Sequence, residues 1–172
     1  MSLDLSSKIR DVPDFPKEGI VFKDVMPLVA DAEYFRETIH QLAEWARPRE
    51  PDLILGAEAR GFIFGAALAY EVGAGFVAAR KPGKLPWETV SASYELEYGT
   101  DSLEMHRDAI ESGQHVLIVD DLLATGGTAR ATVNLVRQLG GHVEGLAFLI
   151  ELVELNGRAR LEGEEVLAVL QY

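Results

Sequence analysis

The sequence predicts an α/β protein: an open, mainly parallel, twisted sheet with helices on both faces. Two observations carry that expectation. Short apolar runs alternate with stretches of helical periodicity, and glycines stand where those helices should stop. Strand–helix–strand alternation builds a parallel sheet, and right-handed crossovers then distribute the helices over its two faces.

Residues 1–28 lie outside this rhythm, with three prolines and only short apolar runs. Asp31 is placed to cap a helix whose apolar face carries Phe35, Ile39, Leu42 and Ala46. A strand is expected at 53–55, a helix at 61–72 closed by Gly73, and a strand at 75–79. In 85–101, Val90, Ala92, Tyr94, Leu96 and Tyr98 alternate with polar neighbours, as in a half-exposed strand or hairpin. A buried strand follows at 116–119, a helix at 127–139 stopped by Gly140-Gly141, and a strand at 143–150. Glu162, Glu164 and Glu165 precede a last apolar run, 166–170, expected as an additional strand.

A chain of 172 residues is expected to form one domain and to bury a core without disulfides or structural metal. It has no cysteine, which excludes a disulfide scaffold and a thiolate metal site. Its four histidines, His40, His106, His115 and His142, are too far apart for a metal-ligand motif and are expected at the surface or at helix ends. No basic-then-apolar leader opens the chain and no uninterrupted apolar stretch approaches the ~18 residues of a membrane span. The expected location is the cytoplasm, with no membrane partner. A net charge of −12 disfavours a nucleic-acid partner, because that affinity comes from cations displacing counterions. Arg80, Lys81 and Lys84 nevertheless cluster in a Pro/Gly loop, which is either a focused anion site or a solvated surface loop.

The most specific segment is 116–128, Val-Leu-Ile-Val-Asp-Asp-Leu-Leu-Ala-Thr-Gly-Gly-Thr. Asp120 and Asp121 arrive where the strand should end, and Ala124-Thr125-Gly126-Gly127-Thr128 makes a tight turn into a helix. Glycines let backbone N–H groups approach a phosphate, the helix N-terminus favours an anion, and the two threonines add hydroxyl donors. The acidic pair suits ribose hydroxyls. A P-loop would need a lysine after its last glycine and a dinucleotide fingerprint three spaced glycines; neither is present. A strand, an acidic turn and a helix cap without any ligand is the alternative reading of the same residues.

This segment resembles the signature with which type I phosphoribosyltransferases bind 5-phosphoribosyl-1-pyrophosphate (PRPP). Further blocks are similar, in sequence and in order, to adenine phosphoribosyltransferases: 15–24 (Phe-Pro-Lys-Glu-Gly-Ile-Val-Phe-Lys-Asp), 58–65 (Glu-Ala-Arg-Gly-Phe-Ile-Phe-Gly), 80–86 (Arg-Lys-Pro-Gly-Lys-Leu-Pro) and 92–99 (Ala-Ser-Tyr-Glu-Leu-Glu-Tyr-Gly). The resemblance implies the type I fold, with residues 1–30 as a small hood that recognises the base and 85–101 as a flexible catalytic loop. It implies transfer of the phosphoribosyl group from PRPP to adenine, giving AMP and pyrophosphate, with Mg²⁺ carried by PRPP rather than held in a protein cage.

Carried over residue by residue, the resemblance assigns the base to Val21, Phe22 and Lys23, the ribose to Asp120 and Asp121, and the 5′-phosphate to Ala124, Thr125, Gly126, Gly127 and Thr128. Pyrophosphate falls to Glu58, Ala59, Arg60, Arg80, Lys81 and Lys84. Glu97 handles a proton on the purine, and Tyr98 helps seal the loop. It also implies a cis peptide at Glu58-Ala59 and a homodimer in which part of the 80–84 loop serves the neighbouring site. Two positions depart from the family pattern: Lys23 stands where arginine is more frequent, and Ala59 where serine often occurs. Two rivals stay open, a PRPP sensor that regulates transcription and a transferase for another purine such as guanine or xanthine. Some thirty residues before the first expected helix are too few for a winged helix.

Overall fold

The computed structural model describes residues 3–96 and 98–172. The chain divides into two compact units, Met1–Gln41 and Leu42–Tyr172.

In the first unit, β1 (Arg10–Pro13) and β2 (Val21–Asp24) form an antiparallel hairpin in which Val12 pairs with Phe22. A short helix, α1 (Met26–Val29), follows. Helix α2 (Ala32–Ala46) runs across the boundary between the units. Asp31 caps it as expected, its Oδ1 accepting from the backbone N–H of Glu33 at 3.1 Å.

The second unit is built on a five-stranded sheet in the order β4-β3-β7-β8-β9, every adjacent pair parallel. Its strands are β3 (Leu53–Ala57), β4 (Gly75–Ala79), β7 (His115–Leu123), β8 (His142–Glu151) and β9 (Val166–Gln171). Helix α3 (Arg60–Val72) links β3 to β4, and α4 (Gly127–Gln138) links β7 to β8. Gly73 and Gly140 close these helices in the left-handed conformation, as the sequence predicts.

Side-chain alternation sends the two helices to opposite faces. Leu55, Ile118 and Leu146 share one register line and enter the core with Val133 and Val136 of α4. The residues between them point to the α3 side, where Gly56 lies directly beneath the Gly61 carbonyl. The 85–101 region supplies β5 (Thr89–Glu95) and the first residues of β6 (Thr100–His106); the two strands pair as a hairpin, and Leu103 and Met105 of β6 join the same core as α4.

The chain turns one way from β3 to β4 and the other way from β7 to β8. The switch in direction between β3 and β7 opens a crevice at the carboxyl ends of the strands, where open α/β sheets bind ligands. Among the described residues no helix is long and apolar enough to cross a membrane.

Candidate active site

At that crevice the second unit has a cleft of about 330 Å³. Three strand ends supply its walls. Glu58, Ala59 and Arg60 follow β3, Lys81 follows β4, and Asp120 to Leu123 come from the end of β7, continuing into Ala124–Ala129. Tyr94 and Leu103 of the hairpin and Phe148 of β8 complete the lining.

Strand β7 does not stop at the acidic pair. It continues through Leu123, with Asp120 opposite Phe148 and Leu122 opposite Ile150, so both carboxylates are held on a sheet ladder rather than on a turn. Asp121 is buried and paired with Arg60 Nε. Asp120 sits under the first turn of α3: a Cβ on Gly61 would lie 2.8 Å from its Oδ1, so this approach requires glycine. Burial, then the neighbouring Asp121 charge, pushes the Asp120 carboxyl well above the usual carboxylate range.

The loop that follows turns at Gly126, φ +86°, and α4 starts at Gly127, where the sequence predicts it. No side chain caps this helix among the described residues, which leaves its first N–H groups available to an anion beside the Thr125 and Thr128 hydroxyls.

Glu58 organises the cationic wall. Its Oε1 accepts from the backbone N–H of Lys81 at 2.7 Å and lies 3.3 Å from Arg80 Nε. The Glu58-Ala59 peptide is cis. Lys81 Nζ donates to Tyr94 Oη at 2.8 Å and pairs with Asp101. Burial draws the Lys81 ammonium down, but its bonds to Asp101 and Tyr94 outweigh this and raise it; the Lys81 bond holds the Asp101 carboxyl below its usual range.

The cleft thus brings together Glu58, Ala59, Arg60, Lys81, Asp120, Asp121 and the 124–128 loop. Arg80 joins them through Glu58. Lys84 is exposed on the same turn and is not among the lining residues. Tyr98 is exposed, and Glu97 lies outside the described residues. Val21, Phe22 and Lys23 lie on β2 of the first unit, where Phe22 packs edge-on against Phe15 at 5.2 Å and Lys23 Nζ donates to Asp11 at 2.7 Å. Sequence reasoning did not select Tyr94, Leu103 or Phe148 as site residues; Tyr94 carried a signal, as one of the inward positions of an alternating segment.

A strand-borne acid pair, a Thr/Gly anion loop and a cationic wall at the switch point of a parallel sheet define a sugar-phosphate-binding α/β protein. Residues 30–165 match the phosphoribosyl transferase domain family. An adenine phosphoribosyltransferase from Thermotoga maritima is 58% identical over 170 residues, covering 99% of this chain and 98% of the relative. The crystal structure of adenine phosphoribosyltransferase from Thermoanaerobacter pseudethanolicus superposes with a TM-score of 0.96 at 54% identity, covering 98% of each chain. The Saccharomyces cerevisiae enzyme, crystallised with an imino-altritol bisphosphate and adenine, gives a TM-score of 0.93 at 40% identity over 97% of each chain. The chain belongs to the adenine phosphoribosyltransferase family.

Proposed function

We propose that the protein transfers the 5-phosphoribosyl group of PRPP to N9 of adenine, giving AMP and pyrophosphate in purine salvage. The observation that carries this is the cleft itself: a space of about 330 Å³ with two carboxylates on one side, an uncapped Thr/Gly helix start on a second and Arg60 with Lys81 on a third. Membership in the family supports the choice of base.

In this reading the 5′-phosphate accepts hydrogen bonds from the N–H groups and hydroxyls of Ala124–Thr128. Asp120 and Asp121 hold the 2′ and 3′ hydroxyls, and the Asp121 carboxylate opposes the positive charge that develops on the ribose as the bond from C1 to pyrophosphate breaks. Arg60, Arg80, Lys81 and Lys84 receive the departing pyrophosphate, with the Glu58–Ala59 backbone beside them. Arg60 also serves the ground state, since without it Asp121 would be a buried carboxylate lacking its partner.

Adenine stacks on Phe22 while main-chain groups of Val21 and Lys23 read the edge bearing the 6-amino group. A base with an acceptor there would leave buried groups unpaired. Glu97 exchanges a proton with the purine, and Tyr98 helps exclude water. Mg²⁺ would arrive with PRPP, on its phosphate and hydroxyl oxygens rather than in a protein cage, and would supply positive charge to the leaving pyrophosphate. The protein acts in the cytoplasm as a homodimer in which part of the 80–84 loop serves the neighbouring site.

The test is stoichiometry. Purified protein with adenine, PRPP and Mg²⁺ should form AMP and pyrophosphate one for one, and Asp121→Asn should lose at least an order of magnitude of that rate. PRPP consumption without AMP, or an unchanged rate in Asp121→Asn, would overturn the assignment.

A further inference from the structure

The stretch Ala124–Thr128 contains no lysine or arginine, so backbone and hydroxyl donors alone would have to hold a phosphate dianion on a protein of net charge −12. The fold brings a cation to that loop from more than thirty residues away. Residues Gly157–Leu161 form a 3-10 segment after β8 that lies directly on the loop. A Cβ on Gly126 would sit 2.5 Å from the Gly157 carbonyl oxygen, and a Cβ on Gly157 would collide with the Ala124 carbonyl oxygen. Two backbones therefore touch where neither residue has a side chain.

The segment is anchored at its second and fourth residues. Arg130 of α4 donates from Nε to the Arg160 carbonyl at 2.6 Å. Arg158 donates to both oxygens of buried Glu151, at 2.8 and 2.9 Å, and this pairing holds the Glu151 carboxyl below its usual range. The Arg160 side chain runs along the loop. Its Cβ is 3.2 Å from where a Cβ on Gly126 would be, and its Nη1 is 3.8 Å from the equivalent point on Gly127.

Arg160 lines a second recess of about 630 Å³ together with Thr125, Gly127 and Thr128. The arginines of this acidic chain pair widely with carboxylates, from Arg10 with Asp24 to Arg158 with Glu151, but the Arg160 guanidinium meets none among the described residues.

We propose that Arg160 is a phosphate-binding residue of this site, set beside the Thr125–Thr128 loop to neutralise the 5′-phosphate of the sugar donor and of the nucleotide product. The inference rests on the phosphoribosyl-transfer reading and adds to it a cation that the loop lacks. A guanidinium suits the role, since its fixed fork can donate two hydrogen bonds to one phosphate. Arg158, Glu151 and Arg130 act through it as positioning residues.

The test compares wild type with R160Q and R160K by calorimetry, using ribose 5-phosphate, AMP and adenosine as probes. Arg160 is exposed, so neither substitution disturbs the core. R160Q should weaken ribose 5-phosphate and AMP roughly tenfold or more, the scale of a charge-assisted hydrogen bond, and raise KM for PRPP by a similar factor. Adenosine, which lacks the phosphate, should bind both proteins within twofold. R160K should regain part of the loss, because the charge remains and the fork does not.

Ribose 5-phosphate binding within twofold of wild type in R160Q would overturn the role of Arg160 alone. Wild type that binds ribose 5-phosphate but forms no nucleotide would overturn the transfer reaction alone. Wild type that binds neither sugar phosphate would overturn both.

Discussion

Replacing Gly126 with alanine separates two costs that the structure lets one compute. The residue has φ +86°, where an L side chain costs about 1–2 kcal/mol. The new Cβ would also fall 2.5 Å from the Gly157 carbonyl oxygen and 3.2 Å from Arg160 Cβ, so loop and 3-10 segment must part. Over-packing of this kind costs about 1–3 kcal/mol, giving a total of roughly 2–5 kcal/mol. Gly163 provides the control, with φ +88° and nothing within 4 Å of an added Cβ, so Gly163→Ala should lose only the conformational part, about 1–2 kcal/mol. In a chain of this length each kcal/mol lowers Tm by roughly 2–4 °C. Urea and thermal unfolding of both variants, followed by ribose 5-phosphate titration, read the comparison. Gly126→Ala should be the less stable of the two and should alone weaken sugar-phosphate binding. Equal stability losses, or intact binding in Gly126→Ala, would refute the claim that the 3-10 segment is packed against the phosphate loop.

Three other outcomes are expected. Phe148→Ala removes a side chain 1% exposed in the core and at the floor of the cleft, and should cost about 3–5 kcal/mol in urea unfolding; a loss below about 1 kcal/mol would contradict its place there. Glu97→Gln should lower turnover by about an order of magnitude or more at unchanged stability, measured as AMP formed under saturating substrates, and full turnover would remove Glu97 from the mechanism. His115 Nδ1 lies 2.5 Å from Glu144, a bond that raises the imidazole above 6.5. A raised histidine stabilises fully below its unfolded pKa of about 6.5 and loses that contribution as pH rises through the folded value. Glu144→Gln should therefore lower Tm near about pH 5.5 and match wild type near about pH 9, while a deficit that grows with pH would contradict the pairing.

Much of the fold was legible because its signals are local. The 75–79 run matches β4 residue for residue, and Gly73 caps α3 as predicted, since periodicity and a left-handed stop act over a few residues. Strand β7 was read short for a physical reason. Apolar character ends at Val119, yet the ladder continues to Leu123 because β8 offers partners as far as Glu151. The β1–β2 hairpin went unread because its strands have only four residues each, too few to show an alternation.

At the site, the acid pair and the Thr/Gly loop were legible because they are contiguous in sequence. Phe148 looks like any core residue of an apolar strand. Arg160 lies in a segment without periodicity, and its relevance depends on the Gly126–Gly157 contact, which no local pattern announces.

Transfer of a phosphoribosyl group to adenine is read by a chromatographic assay of the nucleotide product. Protein, PRPP and Mg²⁺ would be supplied in parallel with adenine, guanine, hypoxanthine, xanthine, uracil or orotate. AMP is expected from adenine, and no nucleotide from the other five bases. A nucleotide formed from another base, with adenine inert, would contradict the base assignment, and none from any base despite PRPP binding would make the protein a sensor rather than an enzyme.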